Sequence, residues 1–598
     1  MLKKVEYYID TLSRFNSKQL FYLFKNRVIK KLFPILNLKD DAKALEYLPF
    51  NIFINNAKKF INVEEDASPI WIWDSELSPS WQHKYFNELQ SSLKKRHLSS
   101  TKTDSSLTII WKKNPYHLEI NNNFQRFHLF HENFDECSLD LDSRLKIILN
   151  WINLNLPKSN LGWNSFNCTI RLLNWLKVLT KIPDNYIIED DLWEEIQKSI
   201  YVQTIFISNN IEYHIPGNHV LIQLIVLSII SKLFPSWFAE NAIISKIDNK
   251  VKDEILKQFT NDGFHFEHSN HYHLQLTLFS LIWLHFMLIL KHNVNEKVIR
   301  RIKRADFLVK KFNLPDGSIP MLGDNCFSFL TKNSFEDVSL CAKLAMLNQK
   351  ETLSVDNNNG VTVIKNHYHI IKSGKSKIIF DIGNIGLLNN PGHGHSDLLS
   401  IIYAWNYQPI FIDPGTRKYS NENEDLALKR SVLHNTISIN KCDQAKLWGF
   451  FRWAKLPSDV ISSYNITENG FVCIGEYYGF KHIGGYKHRR ELVLEKDNFF
   501  IKDSIQGRKT DAISLNFILH QDIDCEKNDA KVNLLKNGKA ILEMKINSKL
   551  NSIIIIENTN IYPIYDVSIN SKLIRIKFSN VDFPFENTVS ISPYEKLL

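Results

Sequence analysis

The sequence is poor in cysteine, and its cysteines do not have the spacing of metal ligands or of a redox-active pair. Seven are spread singly over 598 residues, and no Cys-x-x-Cys occurs. The odd count argues against a disulfide framework. We therefore expect reduced thiols that are mostly buried.

Long uninterrupted apolar runs are also missing. The stretches Val220 to Phe234 and Leu274 to Leu290 contain polar residues such as Gln223 and His285, so they predict buried helices and not membrane spans. The N-terminus has a basic start without an apolar region or a small-residue cleavage site. We expect a soluble protein with no transmembrane segment. By sequence it is cytoplasmic, and a periplasmic location stays open if the true N-terminus or the export route differs.

A dense basic stripe is absent as well. The net charge of +9 is spread over the whole chain, which is too weak a pattern to predict nucleic-acid binding. It is compatible with an anionic polymer as substrate. Aromatic residues reach 12%; they suit either sugar platforms or ordinary cores, and we expect most of them in cores.

The length predicts more than one domain. From about residue 140 to 350 the apolar pattern is helical, and after about 360 it alternates with period two and is rich in β-branched residues. Helices followed by strands indicate two domains of different class. We predict a lead-in and first helical part at 1–135, with short strand candidates at 70–73 and 107–111, then a helical domain at 136–355 and a β-domain at 356–598.

One stretch of the β-half concentrates titratable side chains. His393, His395 and Asp397 fall within five residues, with glycines on both sides of His393. Glycine permits tight turns and close approach to a ligand. The apolar runs before and after Asn406-Tyr-Gln-Pro409 predict a β-hairpin whose mouth carries this polar cluster.

The helical half has three further polar clusters. Asn218-His219 and the His-rich stretch up to Tyr272 each precede an apolar helix, and a turn-rich segment ends at Asp324. Free N–H groups at a helix start favour negative charge. Each cluster alone is more simply a capped helix start; together they indicate a site.

This set and order of motifs resembles the heparinase II/III family of polysaccharide lyases, which includes alginate lyase relatives. The resemblance implies an N-terminal (α/α) toroid followed by a C-terminal antiparallel β-sandwich. It spans roughly residues 160 to 520 and rests on these pieces: Asn218-His219, Asp262-Gly263 to Ser269 with Tyr272, Asp316-Gly317 with Gly323-Asp324, His393-x-His395-x-Asp397, Asp413-Pro-Gly415, His434-Asn-Thr436 and His488-Arg-Arg490.

The implied reaction is β-elimination on a uronic-acid-containing polysaccharide, as in bacterial capsule or surface-glycan metabolism. The enzyme must neutralise the uronate carboxylate and then supply a base and an acid. By similarity, Asn218 and His219 donate to the carboxylate, Tyr272 is base and acid, and His393 is a second neutraliser or base. A phenol needs cationic or hydrogen-bonding neighbours to act as a base; His219, His271 and His273 are the candidates.

Two residues are candidates for substrate binding. Arg171 resembles a family position that faces the cleft and would bind an acidic sugar, and a surface salt bridge is the equally good alternative. Tyr419 is a second, weaker candidate acid.

The resemblance also implies a structural metal, usually zinc, held by His395, Asp413 and His434. Imidazole and carboxylate form a suitable donor set. The spacing speaks against it, because in a straight hairpin Asp413 would lie roughly 23 Å from His395 at about 3.3 Å per residue. The hairpin would have to bend or slip.

Two features leave alternatives open. Some family members carry a carboxylate three residues after the histidine of Asn-His, where this chain has Ile222, which puts activity on heparin in doubt. A glycoside hydrolase on the same scaffold would need two carboxylates, with Glu267, Asp324 and Asp397 as candidates. A non-catalytic glycan-binding or assembly protein is the third interpretation.

Overall fold

The computed structural model describes residues 2–32, 48–53, 122, 125–127, 140–155, 161–180, 182–183, 185–238, 244–325, 360–564 and 566–594. The predicted strands at 70–73 and 107–111 and the predicted domain boundary at 355/356 lie outside these residues, so they stay predictions.

The first half of the chain is helical, as its apolar period predicts. Two helices are apolar on every side and therefore form the centre of this domain. The helices are α1 Leu2–Leu12, α2 Ser17–Leu32, α3 Leu141–Leu154, α4 Ser165–Thr180, α5 Asp190–Asn209, α6 Asn218–Leu233, α7 Ile247–Gln258, α8 Asn270–Ile289 and α9 Glu296–Phe312, with a short α10 Asn423–Ala427 in the second half.

The central helices are α6 and α8, which pack against each other, while α6 also packs on α4 and α7. A fully buried Leu or Ile on such a helix contributes about 1.5–3 kcal/mol to the free energy of unfolding. Short connections between successive helices are consistent with the predicted (α/α) toroid. By length and composition alone, α8 could cross a membrane, but 83% of its apolar window is buried inside the fold. Within the described residues it therefore reads as a core helix.

The second half is antiparallel β-structure. The strands are β1 Val361–Ile364, β2 Tyr368–Ser373, β3 Ser376–Asp381, β4 Ile401–Trp405, β5 Gln408–Phe411, β6 Ile437–Ile439, β7 Lys446–Gly449, β8 Arg452–Ala454, β9 Ile461–Thr467, β10 Gly470–Gly479, β11 Tyr486–Glu495, β12 Asn498–Gln506, β13 Thr510–Ile518, β14 Ile523–Asn528, β15 Lys531–Lys536, β16 Lys539–Ser548, β17 Ser552–Ile564, β18 Val567–Val581 and β19 Phe585–Pro593. Within the described residues these strands form four sheets with the orders β1-β2-β3-β4-β5, β14-β15-β16-β19-β12-β11-β10-β9, β17-β18-β13-β6 and β7-β8.

The predicted hairpin is present as β4 and β5. Asn406 and Tyr407 both have positive φ, which matches a two-residue turn between twisted strands. The helices followed by antiparallel sheets confirm the predicted fold class.

The two halves share an apolar contact next to the hairpin. Phe264, Phe312 and Leu322 of the helical half join Tyr368 and Ile402 of the first sheet in one buried cluster. Because this contact fixes the sheet against the start of α8, the polar cluster ahead of β4 faces the helical half.

Candidate active site

The first part of the site is the start of α6. Asn218 opens this helix, and its backbone N–H donates to Oε1 of Glu267 over 3.3 Å. Nδ1 of His219 lies 2.8 Å from Oε2 of Glu212, and its ring stacks on Phe166 with centroids 3.8 Å apart and an interplanar angle of 6°. The side chain keeps 29% of its surface exposed. His219 is thus clamped by a carboxylate and a ring while one edge remains open to a ligand.

The second part is Tyr272, in the first turn of α8. Ser269 caps this helix by accepting from the Tyr272 N–H. The phenol is buried, its oxygen lies 3.1 Å from that of Tyr419, and its ring centroid lies 4.2 Å from that of His393. Phe451 packs against both His393 and Tyr419. A phenol, a second phenol and an imidazole therefore meet at one point.

These two parts are linked through a backbone contact and through one carboxylate. Nδ2 of Asn390 donates to the carbonyl of Pro216 over 3.0 Å, which ties the loop before His393 to the turn before α6. Burial raises the pKa of Glu267, while the charges of His393 and His219 lower it. One carboxylate thus lies within electrostatic range of both imidazoles.

A buried carboxylate organises the imidazoles of the sheet half. Oδ1 of Asp324 accepts from Lys429 over 2.9 Å and from Nε2 of His395 over 2.8 Å, and Oδ2 lies 3.0 Å from Nδ1 of His393. Burial alone would raise the pKa of Asp324, but Lys429 and the two histidines hold it well below its usual range. Because an ionised carboxylate only accepts, Nδ1 of His393 carries a proton. Its Nε2 is then the ring nitrogen that can accept a hydrogen bond or a proton.

The donor set implied for a metal comes together in the structure. Ligand atoms of His395, Asp413 and His434 lie within 4.8 Å of one another, and all three residues are buried. Nδ1 of His395 and Nε2 of His434 have no hydrogen-bond partner among the described residues. Two orphaned imidazole nitrogens beside a carboxylate fit a borderline cation such as Zn²⁺.

The objection from spacing is wrong, and the backbone shows why. The strand begins only at Ile401, because Leu399 has φ of 59° and Ser400 donates back to the carbonyl of Asp397. The pairing also shifts between Tyr403 and Ala404. A turn and a bulge therefore replace the straight strand that the distance assumed.

The structure does not bring Arg171 to the cleft. Its guanidinium is fully buried, donates to Gln203 and to the carbonyl of Gln125, and lies 3.7 Å from the centre of the Trp151 ring. This position in the helical core, with its hydrogen bonds made inside the protein, gives it a structural role.

Two of the histidines proposed to assist Tyr272 are uncharged at neutral pH. Burial lowers the pKa of His271 to about 4 and that of His273 to about 3. His219 lies at the start of the other helix. The phenol oxygen lies next to that of Tyr419, and the phenol ring contacts the rings of His393 and of the neutral His271.

The carboxylates required by a hydrolase are not accessible. Glu267, Asp324 and Asp397 are 1%, 0% and 4% exposed. Burial, followed by the charge of Asp381, raises the pKa of Asp397 to about 6. These three residues therefore do not form an open pair of carboxylates around a glycosidic bond.

Sequence reasoning missed three contributors to the site. Glu212 lies seven residues before His219 across a Pro-Gly turn, and Lys429 and Phe451 lie outside every motif. A carboxylate a few residues before the Asn-His pair is a sequence signal by which Glu212 could have been found. Nothing local marks the other two.

Comparisons with known proteins agree with this architecture. Residues 146–343 match the family described as Heparinase II/III N-terminus, and residues 361–590 match Heparinase II/III-like, C-terminal. Together the two matches take in most of the chain. The chain belongs to the heparinase II/III family of polysaccharide lyases. No curated protein is significantly similar to it in sequence.

Solved structures extend the likeness to the whole fold. A crystal structure of heparinase III has a TM-score of 0.70 at 16% identity, over 91% of this chain and 89% of that one. A mutant of the heparan sulfate lyase HepC from Pedobacter heparinus has a TM-score of 0.58 at 16% identity, over 92% and 88%. At such identities the likeness shows the fold alone.

Proposed function

We propose that this family member cleaves a uronic-acid-containing polysaccharide by β-elimination. The observation that carries the proposal is the meeting of Tyr272 with Tyr419 and His393, whose loop is bonded to the turn before the Asn218–His219 pair. The resemblance of the fold to heparinase III and to a heparan sulfate lyase supports an anionic polymer as the substrate class.

The first task is to neutralise the uronate carboxylate, since the adjacent C5–H is otherwise a very weak acid. Asn218 has a side-chain amide that can donate. His219 donates through Nδ1 to Glu212, so it donates through Nε2 to the substrate in its doubly protonated form, whose charge Glu212 balances. Hydrogen bonds from both groups would grow stronger as enolate-like charge develops.

The second task is proton transfer. A base removes the C5 proton, the C–H electrons form the C4–C5 double bond, and the C4–O pair leaves with the departing sugar, whose oxygen takes up a proton. Tyr272 serves as base and acid, with Tyr419 donating a hydrogen bond to the phenolate oxygen. His393, with its Nδ1 proton directed to Asp324, presents Nε2 as an acceptor and assists on the same side.

The metal-binding residues His395, Asp413 and His434 would hold a structural zinc ion. This ion would tie β5 and the segment before β6 to the loop that carries His393. Its chemistry would be to fix ligand geometry, because all three ligands are buried.

Specificity for heparin itself is not part of the proposal. Ile222 is fully buried in α6, so no carboxylate stands at the position where some family members have one. Heparan sulfate, chondroitin sulfate, hyaluronan, alginate and bacterial capsular uronans therefore form the test panel.

The test is the ultraviolet absorbance of the unsaturated uronate formed at the new chain end. Wild-type protein is expected to produce it on at least one polymer, and Tyr272→Phe is expected to lower kcat by about 10²–10⁴-fold, the usual contribution of a general acid or base. Tyr186→Phe, which removes a surface hydroxyl bonded to Asp142, is the matched control and should keep full activity.

Three results would contradict the proposal. Reducing ends without a double bond would point to a hydrolase. Polymer binding without cleavage would favour the non-catalytic interpretation. A Tyr272→Phe protein as active as Tyr186→Phe would remove the phenol from the mechanism.

A further inference from the structure

We propose that Asp324 is a positioning residue that couples the metal site to His393, so that occupancy of the metal site controls the geometry of the reacting imidazole. The catalytic half of this inference rests on the proposed function. The metal half does not, because it concerns only how tightly the site holds its ion.

The two oxygens of Asp324 serve different partners. Oδ2 faces Nδ1 of His393 at 3.0 Å, and Oδ1 faces Nε2 of His395 at 2.8 Å. His393 reaches the cleft with 16% of its side chain exposed, whereas His395 is completely buried. A single planar group thus joins a ring that can meet substrate to a ring that can meet a metal.

The direction of the His395 ring follows from this bond. A carboxylate only accepts, so Nε2 of His395 carries the proton and Nδ1 is left as the ligand nitrogen. Nδ1 is the atom that has no partner among the described residues. Carboxylates that accept from the far nitrogen of a metal-binding histidine fix its tautomer and orientation.

The backbone of Asp324 is held as firmly as its side chain. Its N–H donates to the carbonyl of His393 over 2.8 Å, and its carbonyl accepts from Oγ of Ser269 over 2.7 Å. Ser269 is the cap of α8, the helix that carries Tyr272. The residue therefore contacts the metal site, the imidazole loop and the helix of the phenol together.

Its charge is balanced within the protein. Lys429 is completely buried, donates to Oδ1 over 2.9 Å and also donates to the carbonyl of Gly392 over 2.7 Å. Because Asp324 is itself fully buried, substrate cannot touch it. Its effect on the reaction has to pass through His393.

The coupling has a definite consequence. Without a bound metal, Nδ1 of His395 would have no ligand bond, and a turn of its ring would shift Oδ1 of Asp324 while the backbone of Asp324 stays in place. His393 then loses its orientation while the Asn218–His219 pair keeps its place. We expect kcat to fall and KM to stay the same.

The experiment compares wild type with Asp324→Asn, each with and without chelation, using Zn²⁺ as the metal probe. Zinc retained against a competing chelator is measured by elemental analysis, and Asp324→Asn is expected to bind it about 10–100-fold more weakly. Asp324→Asn should lose at least as much kcat as chelated wild type, because it also removes the carboxylate from His393, and chelating the variant should add no further loss.

The matched control is Asp306→Asn. Asp306 is also a buried aspartate, 8% exposed and paired with a cation, Lys310, but it lies on α9 in the helical half. The zinc affinity, kcat and KM of this variant per folded molecule should stay unchanged. A general effect of losing a buried carboxylate would instead appear in both variants.

Every outcome decides the proposal. Unchanged zinc affinity in Asp324→Asn, or losses of kcat from chelation and mutation that multiply, would overturn it. If Asp324→Asn does not fold, His395→Ala carries the same readouts, and an unchanged kcat in that variant would be equally fatal. If wild type cleaves no polymer, the proposed function fails, and the zinc competition still shows whether Asp324 supports the metal site.

Discussion

Glu212 offers the sharpest test of how the cleft neutralises its substrate. It is a buried carboxylate, 7% exposed, whose Oε2 lies 2.8 Å from Nδ1 of His219 and accepts from Nε2 of Gln223 over 3.2 Å. Glu212→Gln keeps the shape of the side chain and removes its charge. The amide can then turn either an oxygen or an NH₂ group toward the imidazole, and the doubly protonated form of His219 loses the negative charge that balances it.

The magnitude follows from the type of bond. A hydrogen bond to a charged group contributes about 1.5–3 kcal/mol, and about 1.4 kcal/mol corresponds to a factor of ten in an equilibrium or rate ratio. If His219 binds the uronate more tightly in the transition state than in the ground state, Glu212→Gln should lower kcat/KM by about 10–100-fold. Most of this loss should appear in kcat.

The assay is the initial rate of unsaturated product at several substrate concentrations, together with thermal unfolding. Glu254→Gln is the matched control, because Glu254 is also 7% exposed and also bonded to a glutamine, Gln258, but lies on α7. If both variants lose activity in proportion to stability, or if Glu212→Gln keeps wild-type kcat/KM, the carboxylate does not act through His219.

Other residues give further expectations. Gly217→Ala should destabilise the protein and lower activity, because φ is 152° there and the new Cβ would lie 1.9 Å from Oε1 of Glu267; unfolding curves and rates check both. Arg171→Gln should lower the free energy of unfolding by about 1–3 kcal/mol for each unsatisfied buried group while KM for acidic polymers stays unchanged. Burial would raise the pKa of Asp503, but Arg490 and His488 together lower it from 3.8 to about 2. The stabilisation of about 2 kcal/mol that the ionised carboxylate provides should therefore be present above pH 4 and disappear as the pH falls toward 2. Asp503→Asn should flatten that part of the acid unfolding curve.

Local patterns were sufficient for the architecture of the chain. The apolar residues recur with a helical period in the first half of the chain and alternate in the second. This change predicts where the helices end and the sheets begin, because the period shows which face of a helix or strand is buried. The starts of α6 and α8 were predictable for the same reason, since the polar clusters at Asn218 and Ser269 come directly before long apolar runs. Tyr419 could be suspected only from its motif, and the structure places it beside Tyr272.

Long-range contacts were not predictable in this way. The spacing argument placed Asp413 far from His395 because it assumed a straight strand, and one positive φ at Leu399 with one bulge was enough to reverse it. Arg171 shows the opposite error. Its place on α4 does not say whether the residue faces a cleft or the core, and only the contacts with Gln203 and Trp151 show that it faces the core.

The same reasoning explains why the sequence marked Asp324 as part of a polar motif but did not predict which partners it binds. Asp324 comes from the end of the helical half, whereas His393, His395 and Lys429 all come from the sheet half. A buried carboxylate at this junction costs free energy unless cations and donors meet it there. Each half taken alone would leave charged groups without partners. Docking of the two halves is therefore coupled to assembly of the reacting groups. The polar residues of the separate sequence motifs therefore serve as one another's hydrogen-bond and charge partners in the folded chain.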